Sequence, residues 1–164
     1  MLILGIVLTL TVPRLPDLDG ARHEAATRRL ATLASYLRDE AALRGRVYRL
    51  ELDLDDERYA VTQWSPYAPA PATLDDDDGA GRARFERRWD PHAEPTRLAP
   101  PLDLAAVETA GVRWTTGVRH LYFLPEGLAD GFRITVADGD GAAASVTAAA
   151  GTGRIRVDQT EDES

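Results

Sequence analysis

The sequence predicts an α+β domain in which one long N-terminal α-helix packs on an antiparallel β-sheet or β-sandwich. Three observations predict it. Apolar residues recur with a period near 3.6 between residues 17 and 44. After Gly45 the period falls to 2 and returns to 2 repeatedly along the chain. No helical pattern separates the later strands, so the crossover connections that a parallel sheet requires are missing.

The helix is the clearest element. Ala26, Leu30, Leu33, Ala34, Leu37 and Ala41 recur at spacings of 3 and 4, which places them on one helical face. Leu30, Leu33, Leu37 and Ala41 are the residues expected to pack on the sheet. Arg22, Glu24, Arg28, Arg29, Arg38 and Asp39 fall mostly off that stripe, and His23 is expected on the polar side. Gly45 stands where a left-handed C-cap belongs.

Residues 1–12, MLILGIVLTLTV, carry no charged side chain, and Pro13 and Pro16 follow. A spanning helix needs about 20 apolar residues, so this stretch alone is too short. It also lacks the basic leader and small-residue cleavage site of a secretory signal. It reads either as an apolar strand or core segment, or as the second half of a membrane helix. In the latter reading Leu2, Ile3, Leu4, Ile6, Val7, Leu8, Leu10 and Val12 form the membrane and assembly helix.

Past the helix, Tyr48, Leu50, Leu52 and Leu54 alternate with Val47, Arg49, Glu51 and Asp53, giving a strand with one apolar face. Asp55, Asp56 and Glu57 make a turn into a second strand, residues 58–64. Residues 65–81 form a surface loop punctuated by Pro66, Pro69 and Pro71 and ending in the acidic run Asp75, Asp76, Asp77 and Asp78. Those adjacent carboxylates lack the alternate spacing and closing Glu of a calcium loop. They read as a solvated acidic loop.

Residues 82–89 read as a strand anchored by Phe85 and Trp89, residues 90–101 as a second Pro-rich segment, and residues 102–110 as a helical turn or irregular segment. Strands are expected over residues 112–115, 119–124, 132–136, 142–149 and 154–157, with turns at Gly127, at Asp138 to Gly141 and at Gly151 to Gly153. Residues 159–164 read as a frayed acidic tail. The organisation is therefore an apolar segment (1–16), a helix (17–45), a β domain (46–158) and the tail (159–164).

Composition excludes several function classes. There is no cysteine, so neither disulfides nor thiolate metal sites can form. The net charge is -8 and every basic residue is Arg. That balance argues against a general nucleic-acid binder, which needs a basic stripe. Arg82, Arg84, Arg87 and Arg88 cluster in sequence, but alternation divides them between the two faces of a strand. His23, His92 and His120 are scattered, and no nucleophile elbow, phosphate loop or zinc-helix motif is present. The pairs Asp39–Glu40 and Asp55–Asp56 read as a solvated helix face and a turn, and Trp64, Trp89 and Trp114 as core anchors. No enzymatic activity, cofactor or metal is expected.

The order of apolar run, proline, amphipathic helix and antiparallel sheet resembles the type IV pilin-like proteins. Arg29-Leu30, Leu37-Arg38 and the run from Glu40 to Gly45 resemble the helix of H-class type II secretion pseudopilins (the GspH type) and of FimT/FimU-type minor pilins. Residues 122–127, YFLPEG, resemble that family's strand and turn, and residues 153–157, GRIRV, its closing strand. The resemblance is thin over residues 65–118. It implies a pilin-like fold and a non-catalytic minor pseudopilin at or near the tip of the secretion pseudopilus. Implied partners are other minor and major pseudopilins, secreted exoproteins and the bacterial inner membrane, crossed once, with the β domain in the periplasm. Family members begin with a basic leader, a processing site and a glutamate within the apolar segment. None of these is found here, so a start upstream of Met1, or a chain trimmed at its N-terminus, is expected. The competing implication is a type IV pilus minor pilin acting in pilus assembly or DNA uptake.

Overall fold

The computed structural model describes residues 18–65, 85–87, 94–128, 131–139 and 141–160. The apolar segment 1–16, the acidic run Asp75 to Asp78, Trp89 and His92 lie outside the described residues.

Helix α1 spans Leu18–Arg44, about 40 Å at 1.5 Å per residue. Gly45 ends it at φ +61°. The amide of Arg46 then reaches back to the Ala41 carbonyl at 3.3 Å, the longer bond of a Schellman cap. Leu30, Leu33, Ala34, Leu37 and Ala41 are buried, so one stripe of the helix is committed to the core.

The strands are β1 (Tyr48–Asp53), β2 (Arg58–Trp64), β3 (Phe85–Arg87), β4 (Thr96–Arg97), β5 (Asp103–Thr109), β6 (Val112–Trp114), β7 (Val118–Leu124), β8 (Gly127–Leu128), β9 (Phe132–Ala137), β10 (Ala143–Ala148) and β11 (Ile155–Thr160). They form two antiparallel sheets. The first runs β3-β2-β1-β7-β8, with β4 beside β3 along the same edge of β2. The second runs β11-β10-β9-β5-β6. Helix α1 lies against β1, β7 and β8 of the first sheet and β9, β10 and β11 of the second. One core results, from Leu50, Leu52, Val61 and Leu121 on one side to Leu104, Ile134, Val136 and Val146 on the other. Phe123 of β7 and Phe132 of β9 join the sheets edge to face, with ring centroids 6.1 Å apart.

Most strands lie where alternation places them, and two differences have physical causes. Residues 103–109 are a full strand in the second sheet rather than a helical turn. The register slips between Leu104 and Ala106, so Leu104, Ala106 and Val107 are all buried. That bulge breaks the alternation and leaves an Ala-rich run that mimics a helix. The hairpin after it turns on Ala110 (φ +49°) and Gly111 (φ +77°), the two positive φ values of a type I′ turn. The last strand extends to Thr160, so Gln159 is paired with Ala144 and Thr160 with Ala143 rather than frayed.

Gly131 is packed tightly: a Cβ there would lie 2.9 Å from the Ala148 carbonyl oxygen and 3.0 Å from the Ala150 amide. Backbone, not a flexible side chain, would have to move. Leu37→Ala, at a fully buried position, should lower unfolding free energy by about 2–5 kcal/mol in urea denaturation. Leu43→Ala, at a position 81% exposed, should change it by less than about 0.5 kcal/mol.

Candidate assembly surface

Helix α1 is held at both ends by side chain to backbone bonds. Near its start, His23 Nε2 lies 2.9 Å from the carbonyl oxygen of Val136 in β9, and the Thr27 hydroxyl donates to the His23 carbonyl at 2.9 Å. His23 is only 7% exposed, so it belongs to the buried face and not the polar one. The reason is geometric: His23, Thr27, Leu30 and Ala34 continue the stripe upward by steps of 4, 3 and 4. Near its end, the Arg38 guanidinium donates to the Gly153 carbonyl at 3.1 Å. A Cβ on Gly153 would lie 2.9 Å from Arg38 Cδ, and Gly153 has φ +59°, so glycine both fits the turn and admits the arginine.

The acid pair on the helix is divided by its environment. Asp39 is exposed and pairs with Arg38 at 2.7 Å. Glu40 is 7% exposed and pairs with Arg44 one turn on. Only Asp39 is therefore on a solvated face. Of the other pair, Asp55 accepts the Gly117 amide at 3.1 Å, linking two loops, and Asp56 lies 3.7 Å from Arg58.

The outer face of the first sheet is more covered than alternation suggests. Arg49 is 2% exposed. Its guanidinium carbon lies 4.3 Å from the Phe85 ring centroid, and its Nε donates to Thr62 Oγ1 at 3.1 Å. Glu51 stands 3.6 Å from Arg49 and 3.4 Å from His120 Nε2. Phe85 and Tyr122 rings are 5.8 Å apart. Trp64 and Tyr122 are each 38% exposed, so Trp64 is a surface residue rather than a core anchor. The parity of β2, with Tyr59 and Val61 inward, puts Trp64 outward. Trp114 is half-buried against the core with Arg119 over its ring.

Among the described residues no group of three or more His, Cys, Asp or Glu is placed to hold a metal ion. The outward side of α1 carries Arg22, Ala25, Arg28, Arg29, Thr32 and Leu43, all exposed, with Arg28 paired to Glu24 one turn back.

The family model for GspH, the type II transport protein, matches residues 26–159. The chain belongs to the GspH family. The fold agrees with two structures of the minor pseudopilin EpsH from the type II secretion system of Vibrio cholerae. One has a TM-score of 0.64 at 18% identity, covering 87% of this chain and 98% of that one. The other has a TM-score of 0.61 at 16% identity, covering 86% and 99%. No curated protein sequence matches the chain. The GspH match runs from inside α1 to β11 and so takes in both sheets and most of the helix.

His23→Ala should cost about 1–3 kcal/mol, the range for stranding a buried backbone acceptor and removing packed atoms. Hydrogen exchange should rise selectively over the first turns of α1. Uniform protection in the variant would mean that this bond does not hold the helix.

Proposed function

We propose that this GspH-family chain is a minor pseudopilin of a type II secretion system, a non-catalytic structural subunit at or near the pseudopilus tip. The observation that carries the reading is the GspH match over residues 26–159. The long helix with one solvent-exposed side, fixed to a double sheet, supports it. No helix among the described residues is long and apolar enough to cross a membrane. The segment we assign to the inner membrane is residues 1–16, with Leu2, Ile3, Leu4, Ile6, Val7, Leu8, Leu10 and Val12 facing lipid before assembly and neighbouring helices after it.

Physically the work is an exchange of contacts. Lipid tails around an apolar helix are replaced by the side chains of like helices, a change in partner with little change in apolarity. Little net hydrophobic driving force remains between membrane and bundle, so packing and the periplasmic domain must fix position and order. That gives the exposed side of α1 and the β domain the task of choosing neighbours, which are other minor and major pseudopilins. Exoproteins are the further partners at a tip position. The acidic run Asp75 to Asp78 is the second contact surface in this reading.

The native N-terminus, read by mass spectrometry from host membranes, tests the reading directly. A chain with an N-methylated residue upstream of Met1, in the membrane fraction, is expected. A chain starting at Met1 in the soluble fraction, with export unimpaired by its deletion, would overturn it. Replacing Asp75, Asp76, Asp77 and Asp78 by Ser should weaken co-purification with other pseudopilins. Unchanged recovery and unchanged export would remove that surface from the reading.

A further inference from the structure

We propose that the groove between the first turns of α1 and residues 96–102 is a docking site for an acidic, extended segment of a neighbouring subunit. The inference rests on the pseudopilin reading and adds to it the chemistry of one contact. The groove is a cavity of about 310 Å³. Its floor is apolar, formed by Tyr59, Leu98 and Leu102, each buried. Its rim is cationic. Arg22 and Arg29 stand two turns apart on the helix, and Arg97 of β4, an exposed residue, is also among those lining the groove. Among the described residues no acidic side chain lines it. In a chain whose net charge is -8, three arginines around one cavity run against the average.

The wall opposite the helix is fixed in place. The Leu98 amide donates to the Glu57 carbonyl at 2.8 Å, and the Leu104 amide donates to the Glu57 carboxylate. Glu57 itself adopts φ +52°, so one residue in an unusual conformation clamps both ends of the segment. Across from it the helix presents Ala25 and Ala26, whose small side chains leave the cavity open. Among the described residues β4 pairs only with β2, and its register turns the N–H and C=O of Arg97 to the opposite edge.

These features select a peptide. An extended segment can add to the β4 edge, seat one apolar side chain on Tyr59 and Leu98, and bring flanking carboxylates to Arg29 and Arg97. A lipid phosphate would satisfy the arginines but leave the strand edge and the apolar floor unused. Ion pairs at a partly exposed rim are individually weak, so the site contributes register and partner choice more than affinity.

Two experiments test it. First, the purified chain is titrated into a fluorescein-labelled peptide Asp-Glu-Leu-Glu-Asp and its Asn-Gln-Leu-Gln-Asn analogue, read by anisotropy. Preferential binding of the acidic peptide is expected, weakened by salt and by roughly tenfold or more in R29E/R97E, with R29Q/R97Q intermediate. Circular dichroism should show both variants folded, since neither arginine is buried. Equal binding of the neutral analogue, indifference to R29E/R97E, or binding only to phosphatidylglycerol vesicles would overturn the proposal. Second, a photo-crosslinking residue is placed at Thr96, inside the groove, and separately at Leu43, on the helix, in the host. Crosslinks from Thr96 to an acid-rich segment of another pseudopilin are expected. Crosslinks from Leu43 alone would sink the groove and leave the pseudopilin reading standing. Crosslinks from neither would sink both.

Discussion

The inner faces of two antiparallel sheets must both be covered by a single helix, and most features of this domain follow from that requirement. β-sheets bury one face only if something packs on it. Here Leu30, Leu33, Ala34, Leu37 and Ala41 join the inward residues of both sheets in one continuous cluster. The helix is fixed on that cluster by His23 to Val136 and by Arg38 to Gly153. Those two anchors are 15 residues apart in sequence, about 22 Å along the axis. Both engage the second sheet, whereas the apolar stripe engages both sheets. The anchors therefore set where the helix lies along the sheet, and the stripe sets how it closes the core.

That arrangement divides the helix between two tasks. A stripe about 100° wide suffices for core packing, so the remaining surface is free of it. The outward side holds arginines, alanines, Thr32 and Leu43 instead of a second apolar face. Such a side meets solvent or a neighbour without exposing a large hydrophobic patch. Both anchors end on neutral backbone carbonyls, and the one charged donor, Arg38, is also paired with Asp39 at 2.7 Å.

Much of this was legible in the sequence, and the failures have particular causes. The 3.6 period located α1 over its described length, and Gly45 located its end. Alternation located β1, β2, β7, β9 and β10. It failed at β5, where the bulge between Leu104 and Ala106 puts neighbouring residues on one face and hides a strand as an Ala-rich run. His23 was misplaced because a histidine among charged residues looks polar, although its position continues the stripe. Arg49 shows the converse: its parity pointed outward correctly, but nothing in β1 tells that Phe85, 36 positions later, lies over it. Parity does place Tyr122 and Trp64 outward. The groove was out of reach altogether, because Arg22, Arg29 and Arg97 meet only after β4 has been folded against the start of β2.

The low identity to the two EpsH structures, set beside the shared fold, locates where specificity must reside. A core assembled from apolar residues of suitable size tolerates wide substitution if volume and pattern are kept. The stripe of α1 and the inward strand faces therefore define the fold without defining a neighbour. Partner choice has to come from side chains that the core leaves unconstrained. Among the described residues those include the outward residues of α1, the Trp64, Phe85 and Tyr122 face, and the arginine-lined groove. Of these, the groove alone combines a recessed apolar floor, one sign of charge and an open strand edge. Those are the three elements that let a surface accept one segment and reject others: shape, charge and backbone register. A bare helix face supplies only the first two. In the docking proposed for the groove, the ordering contact is made beside the helix, where the strand edge adds register to the rod.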